Sequence, residues 1–165
     1  MTPLFANAAC KRVAGANLGW LAPDILVLIC FIHKEPLKMK VAYARILVVD
    51  DDVVMRTFVV NSLRRLGIHA IETAGDGGSA LRAMVSFKPD LVLTDIHMQP
   101  MNGIEFVQQL RKHANPLVKK MKVIFMSADA STETLEQALP LGTYGYIVKP
   151  PRQEILQAKL ELALK

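Results

Sequence analysis

The sequence predicts an α/β domain on a doubly wound parallel sheet of five strands with five helices, and three observations carry that expectation. From residue 45 onward, short apolar runs alternate with amphipathic segments five times. The runs are nearly continuously apolar, as strands buried on both faces are. Most end in polar residues: Asp50 and Asp51 after the first, Asp95 after the third, Ser127 after the fourth and Lys149 after the fifth. Strand–helix–strand units of this kind take right-handed crossovers and place helices on both sides of one sheet.

The elements follow in order. Arg45-Ile46-Leu47-Val48-Val49-Asp50 reads as the first strand. Val54, Phe58, Leu63 and Leu66 mark the apolar stripe of the first helix, with Asp52 as its N-cap and Gly67 at its C-terminal cap. A second strand is expected over 68–73, a helix over 77–87, a third strand over 91–95 and a helix over 104–113. Gly103 opens that third helix beside a tight turn where a side chain would be in the way, and Met98 and Met101 fill apolar gaps. A strand over 122–127, a helix over 132–139, a strand over 144–148 and a helix from Gln153 to the C-terminus complete the series.

Residues 1–44 read differently. Gly15, Gly19 and Pro23 are scattered among small and apolar residues without a sustained period. The segment is expected to be an extension, disordered or a start-site artefact with translation beginning at Met39, which leaves 45–165 as the domain. Its apolar run, 25–32, is far shorter than the ~20 residues of a membrane span. Lys11, Arg12 and the Ala42-Tyr43-Ala44 triplet raise a signal peptide, but Lys34, Glu35, Lys38 and Lys40 would separate the apolar run from the cut. Cys10 and Cys30 both fall here, so the domain contains no disulfide and no cysteine metal site, and a reducing cytoplasm fits best.

Composition narrows the function classes. The chain has 165 residues, about one domain's worth, with 52% apolar and 21% charged residues. Its net charge is +5, but Lys11, Arg12, Lys34, Lys38 and Lys40 against Asp24 and Glu35 place +3 of it before residue 45, leaving the domain nearly neutral. Lys119, Lys120 and Lys122 form a short basic run, read as a solvated loop rather than a nucleic-acid footprint. His33, His69 and His113 lack metal-ligand spacing and are expected at the surface.

In a doubly wound sheet, chemistry gathers beyond the carboxyl ends of the strands. Asp50, Asp51, Asp95, Ser127 and Lys149 should therefore converge on one edge. Three carboxylates there repel one another unless a cation neutralises them. Mg2+ suits an open acidic pocket, because it takes a few carboxylate oxygens, keeps waters and accepts phosphate oxygens. With the charge neutralised, an aspartate can attack a phosphoryl donor while an ammonium and a hydroxyl steady the equatorial oxygens.

Four stretches then carry a resemblance: Ile46-Leu47-Val48-Val49-Asp50-Asp51-Asp52, Thr94-Asp95-Ile96-His97-Met98-Gln99-Pro100-Met101-Asn102-Gly103, Met126-Ser127-Ala128 and Tyr146-Ile147-Val148-Lys149-Pro150. In order and spacing they resemble the response-regulator receiver domains of two-component signalling, of the stand-alone, chemotaxis-regulator-like kind with a flavodoxin-like fold. The resemblance implies that Asp95 is the phosphoacceptor and that Asp50 and Asp51, with the backbone carbonyl of His97, hold Mg2+. It makes Ser127 the switch hydroxyl, Tyr146 the aromatic that rotates in its wake, and Lys149 the partner of the aspartate or its phosphoryl oxygens. It further implies a cis Lys149-Pro150 bond and an output face built from the fourth helix, fifth strand and fifth helix. A sensor histidine kinase or phosphotransfer protein would supply the phosphoryl group, and a downstream protein would read the result. Neither DNA binding nor a membrane is implied, and a chain ending with the last helix is expected to signal by docking.

Two departures and two rivals accompany it. Gln99 stands where the family usually has proline, so the loop after Asp95 is where geometry is least assured, and Pro151 replaces the usual aromatic, suiting the first turn of a helix. His97's side chain reads as a bystander. Asp50-Asp51-Asp52-Val53-Val54 also resembles the nucleophile motif of haloacid-dehalogenase-type phosphatases, with Asp50 as nucleophile and Asp52 as acid–base, but the acidic pair expected after Lys149 is missing. A receiver-like module that takes no phosphate is the other rival, and its usual mark, a missing pocket residue, is absent from Asp50, Asp51, Asp95, Ser127 and Lys149.

Overall fold

In the computed structural model of the chain, residues 41–128 and 136–165 are described. All the elements below belong to one of the chain's two compact units, Lys40–Lys165. Five strands, β1 (Ile46–Val49), β2 (Ile71–Ala74), β3 (Leu91–Asp95), β4 (Val123–Ser127) and β5 (Gly145–Val148), form one sheet in the order β2-β1-β3-β4-β5. All four pairings are parallel. The helices are α1 (Val53–Arg65), α2 (Gly77–Phe87), α3 (Gly103–Lys112), the single-turn α4 (Pro116–Lys119) and α5 (Gln153–Ala163), with a 3-10 turn at Leu139–Leu141.

Every residue of β1, β3 and β4 is buried, which is why their apolar runs are continuous. Successive side chains point to opposite faces. Ile46, Val48, Leu91, Leu93, Ile124 and Met126 pack with Val59 and Leu63 of α1 and Leu156 and Leu160 of α5. Leu47, Val49, Val92, Val123 and Phe125 pack with Met84 of α2 and Phe106 and Leu110 of α3. Two cores, one per face, therefore hold the sheet from both sides. Val41 and Ala44, ahead of β1, are buried members of the first.

Several expectations need correction. On α1 the buried positions are Val59, Ser62 and Leu63, with Met55 and Leu66 packed beside them, while Val54 is 78% and Phe58 43% exposed. The helix opens on a run of apolar residues, so an adjacent stripe reads as plausibly as the true one. The second strand begins at Ile71, not 68: Ile68 is fully buried, but its N–H donates to the Leu63 carbonyl at 3.1 Å and so finishes the turn after α1. Gly67, at φ +83°, supplies the left-handed residue that this turn needs. Lys119 closes the unforeseen α4, whose start is capped by the Asn115 side chain, its Oδ1 accepting from Leu117 N at 2.9 Å. Of the helix expected over 132–139, residues 129–135 lie outside the described residues, and 136–138 are helical.

Candidate functional site

The strand order reverses direction at β1, with β3 as its neighbour on the other side, so the crevice of the fold opens beyond Val49 and Asp95. Asp50 follows β1 and is fully buried. Its backbone N–H donates to Ala74 O at 3.1 Å, its carboxylate Oδ1 accepts from Asp52 N at 3.0 Å, and its carbonyl accepts from Arg56 Nη1. Asp52 itself caps α1, its Oδ1 accepting from Val54 N at 2.8 Å and Met55 N at 3.3 Å. Asp51, between them, is exposed.

Asp95 ends β3 and is buried to 6% exposure. Thr94 Oγ1 donates to its carbonyl at 3.0 Å. A Cβ on Gly103 would lie 2.0 Å from that same oxygen, so only glycine lets α3 start this close to the aspartate. Asn102 caps α3 in a reciprocal box with Glu105, at 2.8 and 3.0 Å. Met98 is buried and Met101 half-buried, both within the second core. The loop between carries a cis Gln99-Pro100 bond, and Lys149-Pro150 is cis as well.

Lys149 follows β5 and reaches both acids. Its Nζ lies 2.6 Å from Asp50 Oδ2 and 2.7 Å from Asp95 Oδ2. The contact with Asp50 is an ion pair without the alignment of a hydrogen bond. Burial pushes the Asp50 carboxyl above its ordinary range despite Lys149, and the neighbouring charge of Asp95 adds to that rise. Burial alone would lower the Lys149 ammonium, but its close contacts with the Asp50 and Asp95 carboxylates outweigh that and raise it. Ser127 is fully buried at the end of β4, its carbonyl accepting from Lys149 N at 2.9 Å. Tyr146 is half-buried on β5, packed against the second core. His97 is exposed two residues past Asp95.

Carboxylate oxygens of Asp50, Asp51 and Asp95 lie within 4.8 Å of one another. An all-oxygen, anionic and partly open donor set of this kind fits a hard divalent cation such as Mg2+. The raised pKa of Asp50 agrees, because it marks a buried carboxylate whose charge one lysine does not fully offset. Arg56 went unnoticed in the sequence. Helical side chains tilt toward the N-terminus, so an arginine in the first turn of α1 reaches back over the loop before it.

The response regulator receiver domain family matches residues 46–161. The chain belongs to that family. Chemotaxis protein CheY-3 of Vibrio cholerae is 38% identical over 117 residues, which are 71% of this chain and 88% of that protein. Chemotaxis protein CheY of Pseudomonas aeruginosa is 35% identical over 117 residues, covering 71% and 93%. A solved structure of the chemotaxis response regulator CheY4 of Vibrio cholerae superposes with a TM-score of 0.66 at 30% identity, covering 73% of this chain and 98% of that one. The receiver fold and a chemotaxis-regulator-like character are thus established, consistent with a phosphorylation-dependent signalling switch. Domains of this type are signalling proteins rather than turnover enzymes. The phosphatase alternative is not favoured: the family match is to receivers, and Asp52 Oδ1 serves as the cap of α1. No helix among the described residues is long and apolar enough to cross a membrane.

Proposed function

We propose that this receiver accepts a phosphoryl group on Asp95 from a phosphohistidine of a sensor kinase or phosphotransfer protein, and that Mg2+ held by Asp50, Asp51, Asp95 and the His97 carbonyl is its cofactor. The observation that carries the proposal is the Lys149 ammonium seated between Asp50 and Asp95, with the Asp51 carboxylate alongside. When bound, Mg2+ supplies positive charge that neutralises the carboxylates and the phosphoryl oxygens. Asp95 acts as the nucleophile: its carboxylate oxygen bonds to phosphorus as the donor's imidazole nitrogen leaves. Lys149 neutralises charge on the transferred group, and the Ser127 hydroxyl is the donor that turns toward it. Burial of Asp50, Asp95 and Ser127 removes competing water and strengthens each of these contacts.

Tyr146 couples the pocket to the surface. It sits on the strand that carries Lys149, so movement of Ser127 toward the phosphoryl group opens room into which its ring rotates. The surface of β5, α5 and the segment before β5 then presents a changed shape to a downstream protein. The chemotaxis names of the relatives make a chemotaxis pathway the setting we favour. The cytoplasm, where phosphohistidine donors are found, is the corresponding compartment.

Incubation with acetyl phosphate and Mg2+, followed by peptide mass spectrometry, tests this reading. One phosphoryl adduct is expected on Asp95, lost in Asp95→Asn and on chelation of the metal. An adduct on Asp50 would point to phosphatase-like chemistry instead, and no adduct at all would leave an interaction module that takes no phosphate.

A further inference from the structure

The Asp50 backbone carries an unusual anchor. Its carbonyl accepts from the guanidinium of Arg56, a half-buried residue of α1 that also lies against Gly75, where an added Cβ would stand 3.7 Å from Nη1. That carbonyl belongs to the peptide unit joining Asp50 to Asp51. A peptide unit is planar, so holding its oxygen fixes the orientation of the whole plane. Asp50 is independently held at both carboxylate oxygens, by Asp52 N and by Lys149. Asp51 is exposed, and among the described residues its carboxylate has no ion pair or hydrogen bond of its own. Its direction is therefore inherited from the backbone that precedes it.

We infer that Arg56 is a positioning residue for the divalent cation, setting the Asp50–Asp51 peptide so that the exposed Asp51 carboxylate faces Asp95 before the ion arrives. This rests on the proposal that Asp50, Asp51 and Asp95 hold Mg2+. A planar guanidinium suits the task, because its rigid fork bonds the carbonyl in a fixed direction, which a rotating ammonium does not do.

The inference runs against simple electrostatics, and that makes it testable. A cation bonded to the backbone beside the acidic pocket can only repel an incoming Mg2+, so deleting its charge should leave binding unchanged or tighten it if charge is all that Arg56 contributes. Positioning demands the reverse. Titration of Mg2+ alone into the full chain by calorimetry should show Arg56→Gln binding about tenfold more weakly, as losses around metal ligands typically do. Arg56→Lys, which keeps the charge but not the fork, should also weaken binding. Metal-free thermal unfolding identifies a variant that fails to fold, in which case Arg56→Lys alone carries the comparison. Unchanged or tighter binding in folded variants overturns the inference while leaving the metal site intact. Wild-type protein that binds no Mg2+, or Asp51→Asn that binds it as wild type does, overturns the metal reading and the inference with it.

Discussion

Asp50 is the residue at which the two demands on the pocket conflict. Its carboxyl is raised above the ordinary value by burial, so the folded state binds its proton more tightly than the unfolded chain. Stability therefore falls as pH rises from the unfolded value of 3.8 through the folded one, and near neutrality the metal-free domain carries the whole cost. Asp50→Asn is expected to melt higher than wild type at about pH 7 without metal, with the gap closing toward about pH 4. Saturating Mg2+ should reverse the order, because only wild type has the carboxylate to gain from it; thermal melts across that range, with and without the ion, check both halves. The identity of this residue was legible from an acid ending a buried strand. Its conflict was not, since desolvation depends on how α1 and β5 close over the position. Arg56 was missed for a related reason: a lone arginine in an amphipathic helix looks solvated until the direction of its side chain is known.

At the level of elements, α1 separates what periodicity can decide from what it cannot. Val53, Val54, Met55, Phe58, Val59 and Val60 are all apolar, so several stripes about 100° apart compete, and only the position of the sheet selects the one through Met55, Val59, Ser62 and Leu63. Val59→Ala is expected to cost about 2 kcal/mol, as removal of buried methyl groups does. Phe58→Ser, on the exposed flank, should stay within about 0.5 kcal/mol. Urea unfolding midpoints at constant m distinguish the two. The central strands were read nearly to the residue because burial on both faces excludes polar residues. Edge strand β2 was not, for its partly exposed Ile-Glu-Thr-Ala pattern resembles a turn. The one-turn α4 had a usable signal in Asn115-Pro116, an N-cap followed by proline, that its lysine run obscured.

For the molecule as a whole, convergence of the pocket was foreseeable although the strand order was not. Alternation and crossover handedness permit several orders, yet in every doubly wound sheet the carboxyl ends share one edge. The pocket thus joins loops after β1, β3, β4 and β5, and an ion held by the first two of these should stabilise the fold. Melting temperature is expected to climb with Mg2+ concentration without a plateau, by about 2.7 kcal/mol of stability at a hundredfold excess over Kd. Calorimetric scans over a concentration series test this, and a melting temperature indifferent to Mg2+ would contradict it.

Lys149, lying against two acids at once, also sets a charge match. Three ionised carboxylates and one ammonium leave the pocket with two negative charges in excess. A divalent ion cancels that residue, whereas a monovalent one leaves an excess and a trivalent one overshoots. The lysine is thus a fixed counter-ion that tunes which valence the cavity prefers, so Lys149→Met should shift preference toward ions of higher charge as well as impair phosphorylation.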